Sequence, residues 1–124
     1  MTASLDHMIV FARDRDASAA FLAQVLGVSE PTKAGHFTQV RVGKELAIDF
    51  MNRPGDIAVQ HYAFLVSEKQ FDAGFGLVKA RGQSYWADPY RQRPGEINDG
   101  DGIGRQVYFE DPSGHFLELR TQPS

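Results

Sequence analysis

The side chains able to do chemistry in this sequence are histidines, carboxylates and arginines set at alternating positions in strand-like segments. Side chains on a strand alternate between its faces, so parity sorts them. In Phe37-Thr38-Gln39-Val40-Arg41-Val42 the valines belong against an apolar layer, which turns Gln39 and Arg41 to the other face. In Leu46-Ala47-Ile48-Asp49-Phe50-Met51 the large apolar set is Leu46, Ile48 and Phe50, leaving Asp49 opposite. In Phe116-Leu117-Glu118-Leu119-Arg120 the leucines pack, and Glu118 and Arg120 face away from them. By the same rule Tyr62, Phe64 and Val66 are core, while His61 and Ala63 look outward. His7 lies in a run that is apolar on both faces, so parity does not place it. Polar groups gathered on a partly enclosed face need partners, and a metal ion, a polar ligand or water can supply them. The chain has no cysteine, which excludes disulfides, thiolate metal sites and a cysteine nucleophile.

The elements that must position these groups read as two similar halves. Leu5 to Phe11 is a short apolar run rich in strand formers. Asp14 or Asp16 then caps a helix whose apolar stripe is Ala17, Phe21, Val25 with Leu22 and Leu26, and Gly27 stops it. The second half repeats the plan. Val59 to Val66 is a strand, Ser67 and Gln70 form a capping box, Phe71, Phe75 and Val78 give the stripe, and Gly82 is the stop. The two histidines lie 54 residues apart and the two glycines 55, so the chain carries an internal repeat. Strands are predicted at 32–34, 37–42 and 45–51 in the first half, and at 83–87, 106–110 and 115–120 in the second. Asp111-Pro112-Ser113-Gly114 is a turn, and His36 and His115 read as turn or surface residues. The polar stretch from Tyr90 to Gly104 holds five glycines or prolines and reads as a mobile loop or lid.

A chain of 124 residues suits one domain with a real core. Its net charge of −3, with both signs interspersed, gives no footprint for nucleic acid or anionic membrane. Neither a signal segment nor an apolar run of membrane-spanning length is present, so a cytoplasmic location is expected.

The repeated strand–helix–three-strand module, with a histidine opening each half, resembles the vicinal oxygen chelate superfamily. That group includes glyoxalases, fosfomycin-resistance proteins, extradiol dioxygenases and bleomycin-resistance proteins. The resemblance covers essentially the whole chain and is carried by Leu5-Asp6-His7, His61-Tyr62-Ala63-Phe64 and the segment from Val107 to Leu119. It implies an α+β fold of two βαβββ modules, about 1–54 and 55–124, that form a curved mixed sheet with helices on its convex face.

The resemblance further implies that His7, His61 and Glu118 are ligands of one divalent metal ion (Fe, Mn, Ni, Co or Zn). Two imidazoles and a carboxylate leave positions open, as a catalytic metal requires. The ion would act as a Lewis acid on a small oxygenated substrate, making the chain a lyase, a thiol transferase or a ring-cleaving dioxygenase. The alternative is a metal-free ligand-binding protein of the bleomycin-resistance type. Aligning Leu46-Ala47-Ile48 on Leu117-Glu118-Leu119 puts Ala47 where glyoxalases carry a carboxylate, which weighs against glyoxalase activity. Ile9 stands where many thiol-transferring fosfomycin-resistance proteins carry a threonine, whereas Tyr108 matches a tyrosine lining their site. Tyr108 and Arg105 are therefore expected to act on the substrate, with Gln39, Arg41, Asp49, Trp86 and Arg120 around it. Members of this size are usually homodimers with shared sites. His7 of one subunit is expected to join His61 and Glu118 of its partner.

Overall fold

The computed structural model describes residues 2–100, 102 and 104–124. Its contacts divide the chain into two compact units, Met1–Ala58 and Val59–Ser124, each built as strand, helix and three strands.

The first unit contains β1 (His7–Ala12), α1 (Arg15–Leu26), β2 (Thr32–Ala34), β3 (Phe37–Val42) and β4 (Leu46–Asn52). The sheet order is β1-β4-β3-β2, with β1 parallel to β4 and the other pairs antiparallel. Of the two candidate caps, Asp14 takes the role: its carboxylate accepts the backbone N–H groups of Asp16 and Ala17 at 3.0 and 3.1 Å. Asp16 instead accepts the Thr38 hydroxyl at 2.6 Å and pairs with Lys33, which ties the helix to the strands beneath it. Gly27 ends the helix at φ 68°, a left-handed conformation that glycine adopts without strain. Phe21, Leu22 and Val25 of α1 are buried with Val10, Val40, Ile48 and Phe50 of the sheet.

The second unit repeats this with β5 (His61–Leu65), α2 (Glu68–Ala80), β6 (Tyr85–Trp86), β7 (Gln106–Glu110) and β8 (Phe116–Arg120), in the order β5-β8-β7-β6. Phe71 and Val78 of α2 are buried, as are Phe64, Val107, Phe109, Leu117 and Leu119 of the strands. Ser67 caps α2 by accepting the Gln70 N–H at 3.0 Å. Replacing that hydroxyl orphans one helical donor, so Ser67→Ala should lower stability by about 1 kcal/mol in a urea unfolding curve.

The segment expected to be a mobile loop is tied down at both ends. The Asp88 carboxylate accepts backbone N–H groups from Tyr90, Gln92 and Arg93. Ala87 and Arg93 are bonded through their backbones, Gly95 reaches back to Tyr85, and Asn98 and Gln106 exchange two bonds at 3.0 and 2.8 Å. Asp101 and Ile103, which fall in the same expected loop, lie outside the described residues. Polarity and glycine content suggest mobility; the Asp88 turn and these backbone bonds anchor the described ends of the segment.

Partial desolvation works against the Asp88 charge. The backbone donors of Gln92, Arg93 and Tyr90 outweigh it and hold the carboxyl below the ordinary aspartate range. A carboxylate with a depressed folded pKa stabilises at pH above its unfolded value, and that contribution fades as pH falls through the folded one. The stability difference between wild type and Asp88→Asn should therefore be full at neutral pH and vanish in strong acid. Parallel denaturation curves at several pH values check this. No helix among the described residues is long and apolar enough to cross a membrane.

Candidate metal centre

His61 opens β5 and Glu118 lies in β8, two parallel neighbours in which His61 registers with Phe116 and Ala63 with Glu118. The His61 Nδ1–H donates to the Phe116 carbonyl at 2.9 Å. A carbonyl oxygen brings no proton, so the hydrogen of this bond must sit on Nδ1. That leaves Nε2 facing Glu118 Oε1 at 3.2 Å. In the neutral ring both atoms are acceptors, and such a separation is favourable only with a cation between them, either a proton or a metal ion.

The rest of the carboxylate is held firmly. Its Oε2 accepts Arg120 Nη1 at 3.0 Å, and its side chain is only 4% exposed. Tyr108, directly opposite on β7, donates its hydroxyl to the same carboxylate. Burial, reinforced by the Glu118 charge and hydrogen bond, pushes the Tyr108 phenol up to about 12. Trp86 registers with Tyr108 across β6 and β7, and its ring lies 5.8 Å from that of Phe116. The Arg91 guanidinium covers both rings, at 4.6 and 4.2 Å from their centroids.

In the first unit the structure places His7 where parity could not. Val10 and Ala12 are buried, so His7, Ile9 and Phe11 share the opposite face of β1. His7 Nδ1 is 2.7 Å from Asp6 Oδ2, an orienting bond that again leaves Nε2 free to bind and raises the ring's pKa above the usual histidine value. On the same face Asp49 accepts the Gln39 amide at 2.9 Å. Arg41 lies two residues further along β3 and, with Gln39 and Thr32, lines a cavity of about 600 Å³.

Register corrects one expectation. Ile9, two residues after His7, pairs with Asp49; Ala63, two residues after His61, pairs with Glu118. Across the next strand Gln39 faces Asp49 just as Tyr108 faces Glu118. The counterpart of Glu118 is therefore Asp49, and Ala47 is the counterpart of Phe116. Aligning β4 and β8 by their apolar alternation had slipped by one dyad, because a period of two repeats equally well at either setting. A carboxylate, Asp49, therefore stands at the position pseudo-symmetric to Glu118.

Two further expectations are overturned. Arg105 does not look toward the site: it bonds Glu68 and Asp72 of α2 at 2.9 and 2.8 Å and lies 4.3 Å from the centroid of the Phe71 ring. It sits one residue before β7 with the parity of buried Val107 and Phe109, not that of Tyr108. Arg105→Gln should leave ligand binding unchanged while lowering stability by roughly 1 kcal/mol, since its ion pairs are largely solvated. Paired titrations and melts measure both. His115, expected at the surface, is among the largest fully buried side chains, and its Nδ1 accepts the Gln60 N–H at 3.1 Å. Asp111 builds the turn that carries it in, accepting the N–H groups of Ser113 and His115.

Arg120, expected at the substrate, has its Nε engaged by the Gln122 carbonyl and its Nη1 by Glu118. Asp6, the Phe116 carbonyl and Arg91 are the contributors that the sequence did not single out. Asp6 was legible in principle as the neighbour of His7; the other two depend on strand pairing and a closed turn. Among the described residues of one chain, no three histidine or carboxylate side chains converge closely enough to hold a metal ion. His61 and Glu118 meet in one unit, whereas His7 and Asp49 belong to the other.

No protein-family model and no curated protein matches the chain. Among solved structures it is similar to oxidase ChaP-H1, with 51% identity and a TM-score of 0.93 over 98% of each chain. Oxidase ChaP-H2 is also 51% identical, at a TM-score of 0.93, with 99% of this chain and 96% of that one covered. Fosfomycin resistance protein FosX from Mesorhizobium loti shares the fold at 22% identity and a TM-score of 0.72, over 99% and 95% of the two chains. The FosX of Listeria monocytogenes does so at 22% and 0.71, over 100% and 94%. With two βαβββ modules, each opened by a histidine, and half of its residues shared with ChaP-H1 from end to end, the chain belongs to the vicinal oxygen chelate superfamily.

Proposed function

We propose that this chain is a metal-dependent oxidative enzyme that uses iron(II) and dioxygen on a small oxygenated substrate. The observation that carries the metal is the His61–Glu118 pair, with Nδ1 committed to a carbonyl and Nε2 turned to a buried carboxylate oxygen. The oxidative part rests on half-identity to two proteins described as oxidases, and on an imidazole and carboxylate donor set that suits iron(II).

In this reading His61 and Glu118 of one copy are joined by His7, and by Asp49, of a second copy. Two features support a dimer. β1 and β5 each stand at the edge of their sheet, and Ile9, Phe11 and Leu65 on them are exposed apolar side chains. An open, greasy strand edge needs a cover.

When bound, the ion would supply Lewis acidity toward two neighbouring substrate oxygens and a route for electrons to dioxygen. The chain's own groups do the rest. Asp6 and the Phe116 carbonyl keep both histidines in the tautomer that presents Nε2. Arg120 fixes one oxygen of Glu118 and leaves the other to bind. Tyr108 stays protonated at neutral pH, and its hydroxyl steadies the Glu118 carboxylate from the neighbouring strand. Trp86 and Phe116, with the Arg91 guanidinium over their rings, give the second unit a wall of mixed character, and the cavity beside Gln39 and Arg41 gives the first unit room for a polar substrate group.

Metal analysis of the purified protein, followed by oxygen uptake on iron loading, tests the proposal. One metal ion per chain, lost in His61→Ala, is expected. Failure to retain any metal under every loading condition would overturn it in favour of ligand sequestration.

A further inference from the structure

We propose that His115, a residue with no place in the ligand set, is a positioning residue that fixes how His61 presents its Nε2. The inference rests on the metal reading for its purpose, but the geometry stands by itself.

His115 precedes β8 and Gln60 precedes β5, so the two lie side by side where the parallel strands begin. Three bonds lock this corner. The Gln60 N–H donates to His115 Nδ1 at 3.1 Å, the Phe116 N–H donates to the Gln60 carbonyl at 2.8 Å, and His61 Nδ1–H donates to the Phe116 carbonyl at 2.9 Å. The last is the bond that sets the tautomer of His61. The first, the only one of the three made by the His115 side chain, holds the residue before His61 in place.

The His115 ring is 2% exposed, with Tyr62 against it at 5.8 Å between centroids, so it cannot swing to another rotamer without opening the core. Its backbone is fixed in turn by Asp111, whose carboxylate accepts the His115 N–H at 2.9 Å while the Asp111 N–H donates to the His115 carbonyl at 2.9 Å. A turn whose Asp111 and Ser113 are themselves buried thus reaches the candidate ligand through one imidazole. A ring used only to fill space would need no acceptor nitrogen aimed at the strand entry. A leucine would fill that space.

The test compares His115→Asn, whose amide oxygen can accept the same N–H, with His115→Leu, which fills the site without an acceptor. Two readouts are taken on the full-length protein: the ring-nitrogen NMR signature of His61 without metal, and affinity for cobalt(II). His115→Asn should keep the Nδ1–H tautomer of His61 and the wild-type affinity. His115→Leu should give a mixed tautomer and bind cobalt(II) about 10-fold more weakly, the low end of the range for disturbing the bond between a ligand and its outer partner, here the Phe116 carbonyl. Gln60→Pro removes the donor from the other end of the bond and should reproduce the leucine variant, so the proposal stays exposed even when that variant does not fold. An unchanged His61 tautomer in whichever of the two folds overturns it. If wild type takes up no cobalt(II) while the tautomer still follows His115, the metal reading fails and the positioning role stands.

Discussion

Mixing His7→Ala chains with His61→Ala chains should restore metal binding that neither variant shows alone. If each site takes His7 from one copy and His61 with Glu118 from another, a heterodimer contains one doubly damaged site and one intact site. Random exchange makes half of the dimers mixed, so about one quarter of all sites recover. The expectation follows from the placement of the donors: among the described residues one chain gathers no set of three, and the two histidines belong to different compact units. Each unit brings one imidazole with Nδ1 already engaged and one carboxylate two residues further along in register. Stoichiometry after mixing, unfolding and refolding reads the result. Recovery near zero, with both variants dimeric, would mean that each chain builds its site alone or that there is none.

Glu118→Gln should lower metal affinity by at least about 100-fold, more than an outer-shell change does, because it removes a direct anionic donor. The amide keeps the volume and still accepts one bond from Arg120, so the fold should survive with a loss of at most about 3 kcal/mol for the weakened buried contact. These two numbers separate the metal reading from its simplest rival. In that rival a proton on His61 makes His61, Glu118 and Arg120 a purely structural ion cluster. The substitution would then change stability alone, and metal titration would look alike in both proteins. Arg105→Gln is the matched control, since that arginine contacts α2 on the far side of the strand.

The repeat, the helices and most strands were legible in the chain itself because local rules govern them. Asp14 and Ser67 cap where their side chains reach free N–H groups, Gly27 stops a helix because it accepts positive φ, and apolar alternation marks β3, β4 and β8. The same alternation told which face His61, Glu118, Gln39 and Asp49 occupy. It could not tell the axial setting of one strand against another. A period of two is blind to a shift of two, so Ala47 took the place that pairing assigns to Asp49.

His115 was misjudged for a related reason. Residue type gives only a mixed burial habit for histidine, and its neighbourhood in sequence is a polar turn motif that reads as exposed, although Asp111 and Ser113 are buried too. Only the docking of β5 beside β8 brings a backbone donor to its ring. Arg105 likewise was placed by proximity in sequence to Tyr108, when strand parity and two acidic residues on α2 draw it the other way. Residue types and their spacing determined which groups this protein has for chemistry and which faces they occupy. Tertiary structure decided which of them meet, because pairing between distant strands is fixed by long-range packing that no local pattern encodes.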